Sequence, residues 1–429
     1  MRRVLLSVLL LLSLCAAFSA AAAEKGSRSF PVKIVAAPSH TPTAAVTASP
    51  APTPTASPAP TQSAAPAKTA APTESIAPVE TAAPVKTAAP TETVAPTPSP
   101  SPVPVEVLLS LAGDCTLGAD EKTHSMPESY IGVMLANGND YTYPLRYALP
   151  YFTADDFTLV NLEGILSDRA GLINTDLYLN FRGPKSYVNI LTQSSVEGVS
   201  MSNNHALDYT IEGLRDCQAN LDEAGVQWAY NDRYFTFERK GVKFAVFSFR
   251  RYYMEVYYQW LEEAISRVKR QEGVDFVIVC LHHGEEYEAK HNDHDQTRFA
   301  HHAIDYGADL VVGTHPHVLQ GIEVYKNRLI LYSLGNFSFG GNNRPFEASI
   351  PTAVIQVRLV FQKNALQSTQ LTIHPFHATG TQPYSNYQPV PVTGAEAREV
   401  MDIIQSDTPF PLRPYQEGQG AVQDIIYAK

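Results

Sequence analysis

The sequence is poor in cysteine, and the few cysteines it has are not arranged in pairs. There are four in 429 residues, none of them in a CxxC spacing, and Cys15 lies in the apolar N-terminal segment. The other three, Cys115, Cys217 and Cys280, are an odd number, which argues against a disulfide framework and provides no thiolate set for structural zinc. One bridge among them stays open, but three buried thiols are the simpler prediction.

Positive charge is also scarce. Lys and Arg number 32 against 43 Asp and Glu, which gives a net charge of −11, and the chain contains no dense basic run. A protein that tracks a phosphate backbone needs clustered Lys and Arg, so nucleic acid is not an expected partner.

The N-terminus has only a short apolar run. Residues 4–14 are apolar apart from two serines, follow the basic start Met1-Arg2-Arg3, and precede the small residues of 16–23. This layout is typical of a secretory signal peptide over residues 1–23, and the run is too short for a comfortable membrane span. We therefore expect an extracytoplasmic protein, in the cell envelope or secreted. An uncleaved anchor stays open, whereas lipidation at Cys15 is disfavoured because Leu14 is large.

Proline is concentrated before residue 105, in a segment that cannot form a core. From residue 36 to 104 the composition is almost wholly Ala, Pro, Thr and Ser, and Ala-Pro recurs every six residues between Pro60 and Pro96. Proline interrupts helices and sheet ladders, so residues 24–104 are expected to be an extended, disordered spacer. The alternative interpretation, an inert low-complexity tail, predicts the same extended structure as a functional spacer. The folded domain is expected over residues 105–429.

In that domain, apolar runs alternate with helix-like segments. The runs are rich in Val, Ile, Leu and Phe without polar alternation, which is typical of strands buried on both faces. They cover residues 107–112, 157–160, 196–201, 242–247, 276–281, 310–312 and 329–332, with helical stretches at 210–224, 260–272 and 297–306. Residues 353–360 and 366–373 are predicted to form a hairpin. This order indicates an α/β domain with a mostly parallel or mixed sheet.

Five of the predicted strands end in polar residues of one chemical type. In open α/β sheets ligands bind beyond the carboxyl ends of the strands, so these side chains are expected to meet at one edge. Imidazole and carboxylate together suit one or two divalent ions such as Mn, Fe, Zn or Mg, with a carboxylate as bridge. The residues are Asp114, Glu163, Asn204, His205, His282, His315 and His317.

Each of these motifs also has a structural interpretation when it is taken alone. A Gly-Asp pair is usually a turn, the Asn203-Asn204 pair could be a loop, and His282-His283 could be a core pair. The THPH motif is more specific, because imidazoles two residues apart around a proline have little use in packing. Asp208, three residues after His205, is predicted to orient the His205 ring.

Six motifs extend this pattern to a known family. The chain resembles the bacterial capsule-synthesis family typified by the poly-γ-glutamate proteins CapA or PgsA, which looks like a branch of the calcineurin-like metallophosphoesterases. The motifs occur in family order between Val105 and about Gly341, and the sequence after them matches only loosely. They read AGDCTLG, VNLEG, SNNHALDYTIEGL, LHHGEEY, GTHPHVLQGIEVY and LYSLGNFSFG.

The resemblance implies a four-layer αββα sandwich of two mixed β-sheets. By position it implies that Glu163 bridges two metals and that His205 is the acid for a leaving group. The other implied metal ligands are Asp114, Asn204, His282, His315 and His317. The chain departs from the broader phosphoesterase pattern at Thr116, where Asp-x-His would supply a histidine, so the first metal is expected to bind weakly or not at all.

The resemblance also suggests residues that would contact substrate. Arg182, in FRGP, could bind a carboxylate or phosphate, and a structural salt bridge explains it equally well. His283 could be a spare ligand or line the pocket. Glu286 and Asn336 are expected to line it too.

These expectations leave three functional hypotheses. The first is an exported metal-dependent hydrolase or transferase acting on an envelope polymer or a phosphoester. The second is a non-catalytic binding or export component for an anionic capsule polymer such as poly-γ-glutamate, working with membrane-bound capsule-synthesis machinery. The third and weakest is a structural wall protein whose main feature is the spacer.

Overall fold

A computed structural model describes residues 103–250 and 254–425. The predicted signal peptide and almost all of the predicted spacer lie outside these residues. Within them, no helix has both the length and the apolar character to cross a membrane. The three cysteines of this part, Cys115, Cys217 and Cys280, are buried and unbridged, which agrees with the prediction of buried thiols.

Seventeen strands and seven α-helices make up the described part of the chain. The strands are β1 Val105–Cys115, β2 Ala119–Asp120, β3 Phe157–Leu162, β4 Ile165–Leu166, β5 Phe181–Gly183, β6 Gly198–Ser200, β7 Gln227–Ala229, β8 Phe235–Arg239, β9 Val242–Arg250, β10 Phe276–His282, β11 Leu310–Thr314, β12 Ile322–Tyr325, β13 Arg328–Leu331, β14 Pro351–Gln362, β15 Ala365–His377, β16 Val390–Pro391 and β17 Ala421–Ile425. The helices are α1 Tyr130–Ala136, α2 Leu149–Phe152, α3 Val188–Gln193, α4 Thr210–Ala224, α5 Met254–Gln271, α6 Arg298–Asp305 and α7 Gly394–Ser406.

The strands form two large mixed sheets and one small one. The first sheet runs in the order β16-β15-β14-β1-β3-β6-β7, with β17 also paired to β15, and the second runs β12-β13-β11-β10-β9-β8. In the first sheet β1, β3, β6 and β7 are parallel, while β14 is antiparallel to β1. In the second, β9, β10, β11 and β13 are parallel, and β8 and β12 are antiparallel to their neighbours. The small sheet contains β2, β5 and β4.

Three hydrophobic cores separate the layers. The central core lies between the two sheets and takes alternate residues of each strand, such as Leu109 and Leu111 from β1 and Ile278 from β10. The residues between them on β10, such as Val279, face α5 and α6 in a second core, and α1 to α4 cover the outer face of the first sheet in a third. The expected four-layer sandwich of two mixed sheets is therefore confirmed. Helix α7 packs against the central core.

The predicted elements compare closely with those observed. Helix α4 has the predicted bounds, because Leu214, Cys217 and Leu221 give it one buried face and Gly225 ends it in a left-handed conformation with φ of +75°. The predicted hairpin is β14 and β15, which pair antiparallel. Helix α5 begins at Met254, six residues before the predicted start. Several short strands and helix α7 had not been predicted, because short elements carry little periodicity.

Candidate metal centre

The polar residues predicted at strand ends lie together, and two sheets supply them. Asp114 is the penultimate residue of β1, Glu163 directly follows β3, and Asn204 and His205 follow β6. These three strands belong to the first sheet. From the second sheet come His282, the last residue of β10, and the pair His315 and His317 beyond β11. From sequence, these residues were expected to meet at one edge of a single sheet. The packing of the sheets instead brings the carboxyl ends of strands from both to one place.

The centre of this cluster is the Oε1 atom of Glu163. Glu163 is fully buried, and its Oε1 accepts no hydrogen bond from the described residues. Three imidazole Nε2 atoms surround it, at 3.5 Å from His282, 3.9 Å from His317 and 4.0 Å from His205. Ligand atoms that share an ion at about 2.1 Å lie roughly 3–4 Å apart, so this spacing suits a cation. A buried carboxylate oxygen without a hydrogen bond is costly unless such a cation compensates it.

Two overlapping groups of side chains meet the spacing that a metal ion needs. One consists of Glu163, His315 and His317, and the other of Asp114, Glu163 and His282, with the ligand atoms of each group within 4.8 Å of one another. Both groups contain Glu163. The residues present therefore fit a divalent metal ion.

His282 is held so that one ring nitrogen faces the cluster. Its Nδ1 lies 3.0 Å from Thr314 Oγ1, and its Nε2 lies 2.6 Å from Asn204 Oδ1. Burial, followed by the nearby histidines, sets the pKa of His282 well below its usual value. A lowered pKa favours the neutral ring, which is the form that can coordinate a metal.

His315 and His317 both adopt left-handed backbone conformations, with φ of +101° and +59°. Residues other than glycine rarely do so, and such conformations concentrate at functional sites. Burial lowers the pKa of His315 to about 3. Burial is the largest single influence on His317 and lowers its pKa, but hydrogen bonding and charge attraction to Asp114, with Glu286 and Asn336 adding to them, together raise the pKa above its usual value. The Nδ1 of His317 lies 2.9 Å from Asn336 Oδ1, which leaves its Nε2 toward Glu163.

His205 is fixed from behind by an acid. Its Nδ1 lies 2.8 Å from Asp208 Oδ2, and its ring packs against Phe181 with 4.2 Å between centroids. Asp208 is fully buried and also accepts a hydrogen bond from the Phe181 backbone N–H. Burial raises the pKa of Asp208, although its contact with His205 works against the rise. This arrangement leaves His205 Nε2 as the ring atom that faces Glu163.

Asn161 is a central residue that the sequence analysis did not single out. It is buried in β3, and its Nδ2 donates to Asp114 Oδ1 at 2.8 Å, while its Oδ1 accepts from Ser200 Oγ at 3.0 Å. It therefore fixes the Asp114 carboxylate from the neighbouring strand. The available signal was the polar asparagine of VNLEG in an otherwise apolar run.

Thr116 occupies the place of the histidine in the broader phosphoesterase pattern, and its side chain is fully engaged. It is completely buried, its hydroxyl donates to the Gly118 carbonyl at 3.0 Å, and it accepts from the Gly340 N–H at 2.7 Å. These bonds join the loop after β1 to the segment after β13. Thr116 thus supports the local backbone.

The four residues expected to bind substrate lie in different surroundings. Arg182 donates to the Ser167 carbonyl at 3.0 Å and to Glu121 Oε2 at 3.2 Å, so its guanidinium has the structural salt bridge that was the alternative. His283 is buried, with its ring 6.4 Å from that of Phe299 on α6. Asn336 contacts His317, as described above.

Glu286 lies at a cavity beside the cluster. The cavity has a volume of about 430 Å³, and its lining residues are Asn204, Arg250, His282, Gly284, Glu285, Glu286 and His315. Arg250 is the second residue here that the sequence analysis did not name. The cavity opens His282 and His315, two candidate metal ligands of the second sheet, to a ligand.

Comparison with known families agrees with this arrangement. The family described as "Bacterial capsule synthesis protein PGA_cap" matches residues 108–341, which contain every residue of the cluster. The chain belongs to this bacterial capsule synthesis family. The matched part is more than half of the chain, and it ends before β14.

Curated members of the capsule synthesis family are moderately similar to the chain. The "PGA biosynthesis protein CapA" of Bacillus subtilis is 28% identical over 257 residues, covering 54% of this chain and 64% of that protein. The "Capsule biosynthesis protein CapA" of Bacillus anthracis is 28% identical over 258 residues, covering 54% of this chain and 60% of that protein. The chain thus spans less than two thirds of the length of these relatives.

Solved structures with partial similarity include two nucleotidases. The NAD nucleotidase of Haemophilus influenzae superposes with a TM-score of 0.37 and 12% identity, covering 71% of this chain and 63% of that one. A putative 5'-nucleotidase from Staphylococcus aureus gives a TM-score of 0.37 and 12% identity, with coverage of 73% and 61%.

Proposed function

We propose that this member of the capsule synthesis family is an exported cell-envelope protein and a metal-dependent hydrolase. Its substrate would be a phosphoester or an anionic envelope polymer of the poly-γ-glutamate type. The observation that carries the proposal is the buried Oε1 of Glu163, which faces three imidazole nitrogens and accepts no hydrogen bond from the described residues. Family membership supports a role in capsule synthesis.

The side chains have distinct roles in such a reaction. Glu163, His282, His315 and His317 would hold the metal with Asp114 and Asn204. The lowered pKa values of His282 and His315 favour this, because protonated rings cannot coordinate. One or two divalent ions would supply an activated water and stabilise developing negative charge.

Proton transfer falls to His205. Its Nδ1 is occupied by Asp208, so its Nε2 is the atom that would donate a proton to the leaving-group oxygen. Asp208 acts through His205 and is a positioning residue. It keeps the ring in one tautomer and orientation, as carboxylates behind catalytic or ligating histidines generally do.

The extracytoplasmic location is proposed from the N-terminal sequence and from the relatives. The basic start and short apolar run of residues 1–23 support export, and residues 24–104 would hold the domain at a distance from the membrane or wall. One relative is named a PGA biosynthesis protein. Membrane-bound capsule-synthesis machinery is the partner that this context suggests.

One observation favours a second function, a binding or export component that does not turn over its ligand. Thr116 fills the place of a metal-binding histidine, and both of its hydrogen bonds are used within the backbone. A site that lacks this ligand could retain one metal and bind an anionic polymer without hydrolysing it.

Metal content of the full-length chain tests the proposal. We expect one or two equivalents of Mn, Fe, Zn or Mg in the wild type, and a loss of at least half of the metal in His315→Ala. His294→Ala is the matched control, because the His294 side chain is 87% exposed and lies beside its neighbour Asp295. A wild-type chain that takes up no metal after dialysis against these ions would refute the proposal.

Turnover then separates the two functions. The metal-loaded chain should hydrolyse an aryl phosphate or a poly-γ-glutamate chain, and His315→Ala should not. Bound metal with polymer binding but no hydrolysis of either compound would favour the binding component over the hydrolase.

A further inference from the structure

Arg250 stands next to a metal-binding residue on the neighbouring strand. It is the last residue of β9, as His282 is the last residue of β10, and the two are direct partners in the parallel register of these strands. Residues in register on adjacent strands project from the same face of the sheet. The guanidinium group and the His282 ring therefore leave the second sheet side by side.

Both side chains line the same cavity. Arg250 is half-buried there, together with Asn204 and His315 of the candidate metal centre. The cavity therefore connects the arginine to the candidate metal centre.

A guanidinium and a divalent ion that border one cavity both attract an anion placed between them, and this attraction is strong where solvent is partly excluded. Glu285 and Glu286 line the same cavity and are exposed. An oxyanion is the kind of ligand that contacts with both cations would favour.

We propose that Arg250 binds an anionic oxygen group of the substrate, a phosphoryl or carboxylate group, on the His282 side of the metal centre. The inference rests on the proposed function and specifies the substrate class as an oxyanion. The planar guanidinium offers two parallel N–H donors that match the two oxygens of either group. Arg182, the arginine expected from sequence to do this, is nearly buried and bound to Glu121.

Titration with simple anions tests the assignment. Inorganic phosphate and acetate represent the two sources of the oxyanion, and each is titrated calorimetrically into the full-length chain in metal-loaded and metal-free form. Arg250→Gln should weaken binding of the preferred anion about 10- to 100-fold, the usual range for loss of a charge-assisted hydrogen-bonded pair. The anion affinity of Arg250→Lys should lie between those of the wild type and Arg250→Gln, because lysine keeps the charge and loses the second parallel N–H donor.

Arg270→Gln is the matched control. It removes the same charge from an exposed arginine in the last turn of α5 and should leave anion binding unchanged. Equal binding by wild type and Arg250→Gln, or binding of neither anion by the wild type, would overturn the proposal.

Metal content measured on the same samples separates this failure from failure of the proposed function. A chain that takes up no metal refutes the hydrolase, and the titration still decides the role of Arg250. If Arg250→Gln weakens anion binding, the assignment of the oxyanion site to Arg250 stands. If Arg250→Gln leaves anion binding unchanged, that assignment is refuted.

Discussion

The Nε2 of His282 lies 3.5 Å from the Oε1 of Glu163, although the two residues end strands of different sheets. The contact therefore depends on how the two sheets pack and on the ends of β3 and β10 meeting at the same height. The central hydrophobic core sets that relation, since alternate residues of both strands are buried in it. Packing between the sheets and the geometry of the metal centre are thus linked.

Glu163→Gln should remove the common ligand of both metal-binding groups. The change is nearly isosteric, so the fold should be kept, but a neutral amide cannot balance a divalent ion in a buried site. In thermal denaturation, saturating metal should raise the Tm of the wild type by mass action and leave that of Glu163→Gln unchanged. Equal metal-induced rises in the two proteins would contradict a central role for Glu163.

His205→Asn should separate proton transfer from metal binding. If His205 Nε2 protonates the leaving group, its loss should lower kcat for an aryl phosphate about 10²- to 10⁴-fold while metal content stays at the wild-type level. For an ester with a more acidic leaving group, kcat of His205→Asn should fall less, because that leaving group needs less protonation. A uniform loss across leaving groups, or a loss of metal, would show that His205 has another role.

Asp208→Asn tests the positioning of that ring. Asp208 Oδ2 contacts His205 Nδ1 at 2.8 Å, and an amide in its place can present its NH₂ group and favour the other tautomer. We expect kcat to fall by about 10- to 100-fold, with the pH profile displaced and KM little changed. A purely structural role would lower the Tm and the amount of active protein without moving the pH profile.

Thr116→His should not restore the missing ligand of the phosphoesterase pattern. Thr116 is fully buried and binds both Gly118 and Gly340, so an imidazole there would overpack the site at a cost of about 1–3 kcal/mol. Urea unfolding should show this loss, and Thr116→Val, which removes only the hydroxyl, should lose about 1–3 kcal/mol through the unpaired Gly340 N–H. A Thr116→His protein of wild-type stability that binds an extra metal would contradict this account.

The clustering of the candidate metal ligands could be predicted from sequence because these residues belong to short motifs at strand ends. Buried strands and polar turns are local signals that can be recognised in a sequence. In an α/β protein the residues of the functional site follow the carboxyl ends of the strands. His315 and His317 stood out because two imidazoles two residues apart around a proline have little use in packing. The roles of these residues as ligands are still predictions.

The partners of each side chain could not be predicted, because they come from distant parts of the chain. Asn161 was overlooked since its role depends on Asp114, a residue of the adjacent strand. Arg182 and Arg250 show the same limit. Only the fold shows that Arg182 meets Glu121 and that Arg250 is in register with His282.

Stability should depend on pH through Asp155, at the opposite end of β3 from the metal centre. Burial raises the pKa of Asp155 to about 7, with Glu197 and Asp156 adding to the rise and hydrogen bonds from Ser110 and Thr158 opposing it. The unfolded chain has the usual value near 4. Between about pH 4 and pH 7 the folded state therefore binds more protons than the unfolded state, and the free energy of unfolding falls as the pH rises.

Asp155→Asn should remove this fall in the free energy of unfolding with rising pH. The amide oxygen can still accept the Thr158 hydroxyl, which lies 2.7 Å from Asp155 Oδ2. At pH 8 the variant should be more stable than the wild type by on the order of 1–2 kcal/mol, since partial exposure screens the full effect, and the difference should vanish toward pH 5. Asp156→Asn is the control, because its carboxylate accepts from the Leu108 N–H at 2.9 Å and Lys240 at 2.7 Å and is stabilising. Chemical denaturation at both pH values measures the difference, and a variant less stable than the wild type at pH 8 would mean that Asp155 is ionised there at little cost.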